Sequence, residues 1–100
     1  PEKLPQAFVC NCDEPAYRLM LQLARRGIRV PEDLSIVSFD DDVFATMTQP
    51  PLSTVAVHVD DMAQKAADCM MENMKPGYRS RGEIHLVRGE MVFRESVKNR

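Results

Sequence analysis

Apolar positions along the chain fall into short runs of two kinds. QAFVCN, from Gln6 to Asn11, is a compact apolar stretch following a proline-rich approach and predicts a buried strand. From Asp13 the spacing changes. Ala16, Leu19, Met20, Leu23 and Ala24 recur every three or four positions, which predicts a helix running to about Arg26. Asp13 stands where an N-cap is expected, with Glu14 and Pro15 in the first turn. Arg25 and Arg26 suit the negative end of the helix dipole, and Gly27 stands where a left-handed residue closes the last turn. Pro31-Glu32-Asp33 reads as a turn. Leu34 to Phe39 is nearly continuously apolar, as expected for a parallel strand covered on both faces.

The second half repeats the alternation. Val43 to Met47 allows one helical turn, Pro50-Pro51 forces an extended approach, and Leu52 to Val57 predicts a third strand. Val59 to Met74 predicts a second long helix with Met62, Ala63, Ala66, Ala67, Met70 and Met74 on its apolar face. Lys75-Pro76-Gly77 stops it, and Tyr78 to Gly82 is a polar loop. Ile84, Leu86, Met91 and Phe93 mark strand pieces on either side of Gly89-Glu90. Strands alternating with helices in this way predict an α/β sheet, mostly parallel, with flanking helices. Such open sheets bind ligands beyond the carboxyl ends of their strands. Cys12 and Asp13 follow the first strand. Asp40, the first of three consecutive aspartates, follows the second.

Composition narrows the choice. The 100 residues are 44% hydrophobic, enough for a core. The net charge of −2 and the pI of about 5.6 leave no basic surface for nucleic acid. No run is long and apolar enough for a transmembrane helix, and none at the start reads as a signal peptide. Cys10, Cys12 and Cys69 are odd in number and lack framework spacing, which predicts free thiols and a reducing, cytoplasmic setting. Cys10-Asn11-Cys12 offers two thiolates, too few for a zinc site, so these residues are read as small strand side chains. His58 and His85 have no partner at metal-ligand spacing. No nucleophile elbow, phosphate loop or metalloprotease motif is present, which predicts a protein that is not an enzyme and needs no cofactor.

The blocks GIRVPEDLSIVSFDD, QPPLSTV and VFRES together resemble the effector-binding core of the lactose/galactose-repressor (LacI/GalR) family of bacterial transcription regulators. The resemblance runs over nearly the whole chain. It implies a periplasmic-binding-protein-like class I fold, of which residues 1–100 are the C-terminal portion. The early elements would lie in one subdomain and the Met-rich helix in the other, and the DNA-binding head would be absent. A solute-binding protein of an uptake system shares the fold and is the alternative reading.

The resemblance also implies site residues. The first Asp of the family's FDD block contacts ligand hydroxyls or ring nitrogens, and Asp40 matches it. The Asn of an Asn-Asp pair is replaced by Cys12, ahead of Asp13. The polar position after the third strand is Val57. Two of three expected polar contacts are therefore apolar or weakly polar, which speaks against a plain hexose site. Asp41 and Asp42 are read as solvated or as caps of Val43 to Met47, and Asp13 as a cap before a ligand. The methionines are expected in a core, at a place the family uses near its dimer interface. The implied partners are a small-molecule effector such as a sugar or other polar metabolite, a second copy of the chain, and operator DNA through the head alone. With open sheet edges, the 100 residues by themselves are not expected to form a stable monomer.

Overall fold

A computed structural model describes residues 3–79 and 82–99. It resolves into two compact units, one of residues 1–57 with 90–100 and one of residues 58–89. The first unit holds a four-stranded sheet. Its strands are β1 (Ala7–Val9), β2 (Ser35–Asp40), β3 (Ser53–Ala56) and β4 (Glu90–Val92), in that spatial order. β1, β2 and β3 are parallel, and β4 runs antiparallel to β3. Two helices, α1 (Asp13–Arg25) and α2 (Val43–Met47), belong to this unit.

The local chemistry explains the helix ends. Gly27 adopts φ +73, and the amides of Gly27 and Ile28 donate to the carbonyls of Ala24 and Leu23. This pair of bonds is the left-handed closure expected of a glycine after a helix. The N-terminus departs from expectation. Cys12 occupies the cap position, no side chain caps the helix, and Asp13 is its first residue. The Asp13 carboxylate is engaged elsewhere, as described below.

α1 lays Ala16 and Met20 on the sheet, where they join Cys10, Leu34, Ile36, Ala45 and Leu52 in the core. Leu19, Leu23, Ile28 and Val30 pack around its margin. Tyr17 and Phe44 set their ring centroids 5.6 Å apart and hold α2 to α1. Register puts Ile36, Ser38, Thr54 and Val92 on one sheet face, and Val37, Phe39, Val55 and Met91 on the other. The first face is covered. On the second, Phe39 and Met91 are exposed and Val37 and Val55 half-buried. The expectation of a strand covered on both faces therefore holds for one face only, because this unit has a single helical layer.

The amino end of the sheet is closed by hydroxyl groups. Ser96 Oγ donates to the Ile36 carbonyl at 2.6 Å and accepts from the Ser53 amide at 2.7 Å. Ser53 Oγ accepts from the Arg94 amide and donates to the Arg94 carbonyl. Ser53 and Ser96 are fully buried, so each hydroxyl replaces a ladder bond that would otherwise be missing. The LST and RES blocks belong together because they hydrogen-bond to each other.

The second unit holds α3 (Val59–Asn73), ended at Lys75-Pro76-Gly77. None of its helical residues is buried, and Met70, Met71 and Met74 are exposed. The core expected for these methionines is not formed within this unit, whose described residues provide one helix and no second layer. Ile84 and Leu86 are exposed and unpaired, so only β4 answers to the strand pieces expected there. The loop read at Tyr78 to Gly82 crosses residues 80–81, which lie outside the described residues.

Candidate functional site

The carboxyl ends of β1, β2 and β3 bring together the four residues singled out in the sequence. Val57 follows β3, and its amide lies 3.5 Å from the Asp40 carbonyl. Asp13 bonds to the loop after Asp40, and Cys12 lies within electrostatic reach of Asp40 and Asp42. Among these residues Asp40 is distinctive. It is exposed, and among the described residues its carboxylate makes no hydrogen bond or ion pair. Its backbone has φ 120, and Asp41 follows with φ 56. Two successive non-glycine residues in this region cost about 1–3 kcal/mol each and persist only where the surroundings hold them.

Four contacts hold them. The Asp42 amide donates to Asp13 Oδ2 at 2.9 Å. The Asp41 amide donates to Thr54 Oγ1 at 3.3 Å. Arg94 Nη2 donates to Asp41 Oδ1 at 2.7 Å, with both side chains largely shielded from solvent. Asp42 Oδ1 in turn accepts from the Phe44 amide at 2.8 Å and caps α2, in the role read from the sequence.

Asp13 is the centre of this arrangement. It is fully buried, and its second oxygen accepts from Thr54 Oγ1 at 2.7 Å. With one oxygen on Thr54 and the other on the Asp42 amide, it supports the loop from beneath. Sequence reading found Asp13 but gave it a cap, because an acid before a helix matches the local pattern whatever its tertiary partner. Thr54 and Arg94 were missed as participants, although both lie inside the LSTV and FRES blocks.

The electrostatics follow from the crowding of acids. Desolvation, then the charges of Asp13 and Asp42, push the Asp40 carboxyl above its usual range. Desolvation and the charges of Asp40, Asp42, Glu14 and Asp13 raise the Cys12 thiol likewise. Cys12 therefore stays a protonated thiol at neutral pH, a weak donor and a poor nucleophile. All three cysteines are free. Ser38, buried beside Thr54, has a hydroxyl with no partner among the described residues. Those residues hold no group of three potential ligands able to bind a metal ion, and no helix long and apolar enough to cross a membrane.

A cavity of about 930 Å³ opens at the opposite, amino end of the sheet, between Gly27 to Glu32 and Arg94 to Asn99. Of the cations that line it, Arg29 is tied to Asp33 and Arg94 to Asp41. The arrangement of polar groups converges at the carboxyl ends instead.

The sequence and fold have counterparts among known proteins. Residues 1–97 match the family described as periplasmic binding protein-like domain. The arabinose metabolism transcriptional repressor of Geobacillus stearothermophilus is 37% identical over 98 residues, 97% of this chain and 27% of that protein. A LacI-type transcription regulator from Bifidobacterium animalis subsp. lactis superposes with a TM-score of 0.81 at 35% identity, covering 95% of this chain and 34% of that one. The LacI family regulator CCPA from Weissella paramesenteroides, solved with bound sucrose, gives 0.77 at 26% identity, covering 92% and 32%. The chain thus spans about a third or less of each relative. By a match over nearly its whole length, and by the motif blocks that carry it, the chain belongs to the periplasmic binding protein-like domain family, of the kind found in LacI/GalR-type transcription regulators.

Proposed function

We propose that this chain is the effector-sensing part of a LacI-type transcription regulator and that Asp40 is its main contact to the effector. One observation carries the reading: an unpartnered carboxylate held on strained backbone at the carboxyl end of a parallel strand. Strain of this kind is maintained where a side chain must be aimed. A carboxylate there accepts two hydroxyl or N–H bonds, which suits a neutral polyol or sugar and disfavours an anion beside Asp13 and Asp42. Cys12 and Val57 give the adjoining walls a weakly polar and an apolar character. The relatives named as repressors, and the sucrose in one of their structures, support this class of ligand over uptake. Asp13 serves as support beneath Asp40, since both its oxygens are engaged. Within the complete natural protein, two copies pair, and operator DNA is met in the cytoplasm by a separate head, since this chain is acidic.

The test is calorimetric titration of the complete natural protein with L-arabinose, D-glucose and sucrose, before and after Asp40→Ala. A carboxylate with two charge-assisted bonds predicts a loss of about tenfold or more. Unchanged affinity for a sugar that binds the natural protein would refute the reading.

A further inference from the structure

The turn that presents Asp40 is held from three directions, and one holder comes from the far end of the chain. Arg94 stands 53 residues after Asp41. Its guanidinium is a fork: Nη2 takes the Asp41 carboxylate at 2.7 Å while Nη1 donates to the Leu52 carbonyl at 2.9 Å. Its own backbone is fixed on both sides by Ser53 Oγ, at 2.8 and 3.1 Å. The fork therefore has a rigid base, and it links the Leu52 carbonyl, ahead of β3, to the loop after β2. A lysine lacks this planar fork, since its ammonium is a compact, strongly hydrated point charge on a flexible stem.

Asp13 and Thr54 hold backbone amides of the turn, and neither touches a side chain of Asp40 or Asp41. Arg94 is different. It takes the side chain of the residue next to Asp40, and it neutralises one of three consecutive acids. Without it, Asp41 is a free carboxylate on backbone with φ 56, and nothing on its side chain opposes relaxation to ordinary dihedrals.

We propose that Arg94 is a positioning residue for Asp40: its ion pair with Asp41 fixes the left-handed turn and so sets the direction in which the Asp40 carboxylate is presented. The proposal rests on the effector reading for its functional consequence, while the fixing of the turn stands independently of any ligand. Effector affinity then depends on a residue that never meets the effector.

The experiment uses the complete natural protein with Arg94→Gln, Arg94→Lys, Asp41→Asn and the double change Arg94→Gln/Asp41→Asn. Hydrogen exchange followed by mass spectrometry reads the turn without ligand. Exchange across residues 39–44 is expected to speed up by about tenfold in each variant, with residues 53–56 unchanged. Arg94→Lys should resemble Arg94→Gln rather than the natural protein. If exchange is unaltered at 39–44, or speeds up equally across the sheet, Arg94 is not a positioning residue. Should Arg94→Gln fail to fold, Asp41→Asn removes the same pair from its more exposed side and decides the matter. Calorimetry with L-arabinose, D-glucose and sucrose supplies the second readout. Each single change should weaken binding about three- to tenfold, and the double change no further, because one pair is lost in every case. Additive losses would overturn the proposal. Loss of binding in the Arg94 variants but not in Asp40→Ala would sink the Asp40 reading and leave the exchange result to judge the turn.

Discussion

The two ends of β2 treat a carboxylate in opposite ways. Before the strand, Asp33 is saturated. It accepts from the Arg29 amide at 2.9 Å, from Nε at 3.0 Å and from Nη2 at 2.9 Å. Those bonds from Arg29 hold its carboxyl at about 2, well below its usual 3.8. After the strand, Asp40 has no partner among the described residues, sits at φ 120, and is pushed above 3.8 by desolvation and by Asp13 and Asp42. Asp33 lowers the free energy of the fold by its contacts, and Asp40 raises it. A residue that is costly in the folded chain and supported by others is where function is to be sought.

The largest effect expected from breaking this contrast lies beneath the site. Asp13→Ala strips partners from a buried hydroxyl and a part-buried amide, Thr54 Oγ1 and Asp42 N–H. Unsatisfied groups of this kind predict a loss of about 2–3 kcal/mol by denaturant titration. Asp13→Asn recovers only part, since its amide NH₂ faces a donor where a carboxylate oxygen accepted one. A near-neutral Asp13→Ala would mean that the loop supports itself.

The contrast also shows what a sequence can disclose. α1 was legible because its apolar spacing, its terminal arginines and Gly27 are local signals. The parallel order followed from alternation, and the position of Asp40 at the carboxyl end of a strand from the apolar run before it. The role of Asp13 was not legible, because its partners Thr54 and Asp42 lie 41 and 29 positions away. The Arg94–Asp41 pair, separated by 53, has no local signature either. Ile84 and Leu86 misled in the other direction. Strand-like residues form a strand only where an edge accepts them, and among the described residues that stretch finds none.

A smaller effect, of opposite sign for stability and binding, is expected at Asp40 itself. Its carboxyl is raised in the folded state, so the fold favours the protonated form. That stabilising preference is fully present below about 3.8 and is lost as pH rises through the raised value. Asn resembles the protonated acid and removes the repulsion from Asp13 and Asp42. Asp40→Asn should therefore melt above the natural protein at pH 7 and level with it near pH 3, while binding its sugar about tenfold more weakly. A lower melting temperature at pH 7 would show that the carboxylate stabilises the fold, and the contrast with Asp33 would disappear.

The smallest effect belongs to Asp33, and its sign is reversed. A depressed carboxyl contributes stability that is present above the unfolded value of 3.8 and is lost as pH falls through about 2. Arg29 is largely exposed and Asp33 partly so, which makes the ion pair open to screening by salt. Asn at this position keeps an acceptor for the Arg29 amide, so the change removes charge and spares most of the turn before Leu34. Asp33→Asn is expected to lower the melting temperature slightly above about pH 4, with the deficit shrinking below that and vanishing near pH 2. About 1 M salt should narrow the deficit at neutral pH, since the Debye length there is about 3 Å. Effector affinity should not move, because Arg29 and Asp33 lie at the end of β2 remote from Asp40. A deficit that persists unchanged at pH 2 and in high salt would show that Asp33 acts through the geometry of its backbone bonds and not through its charge. The two ends of the strand would then differ in strain rather than in electrostatics.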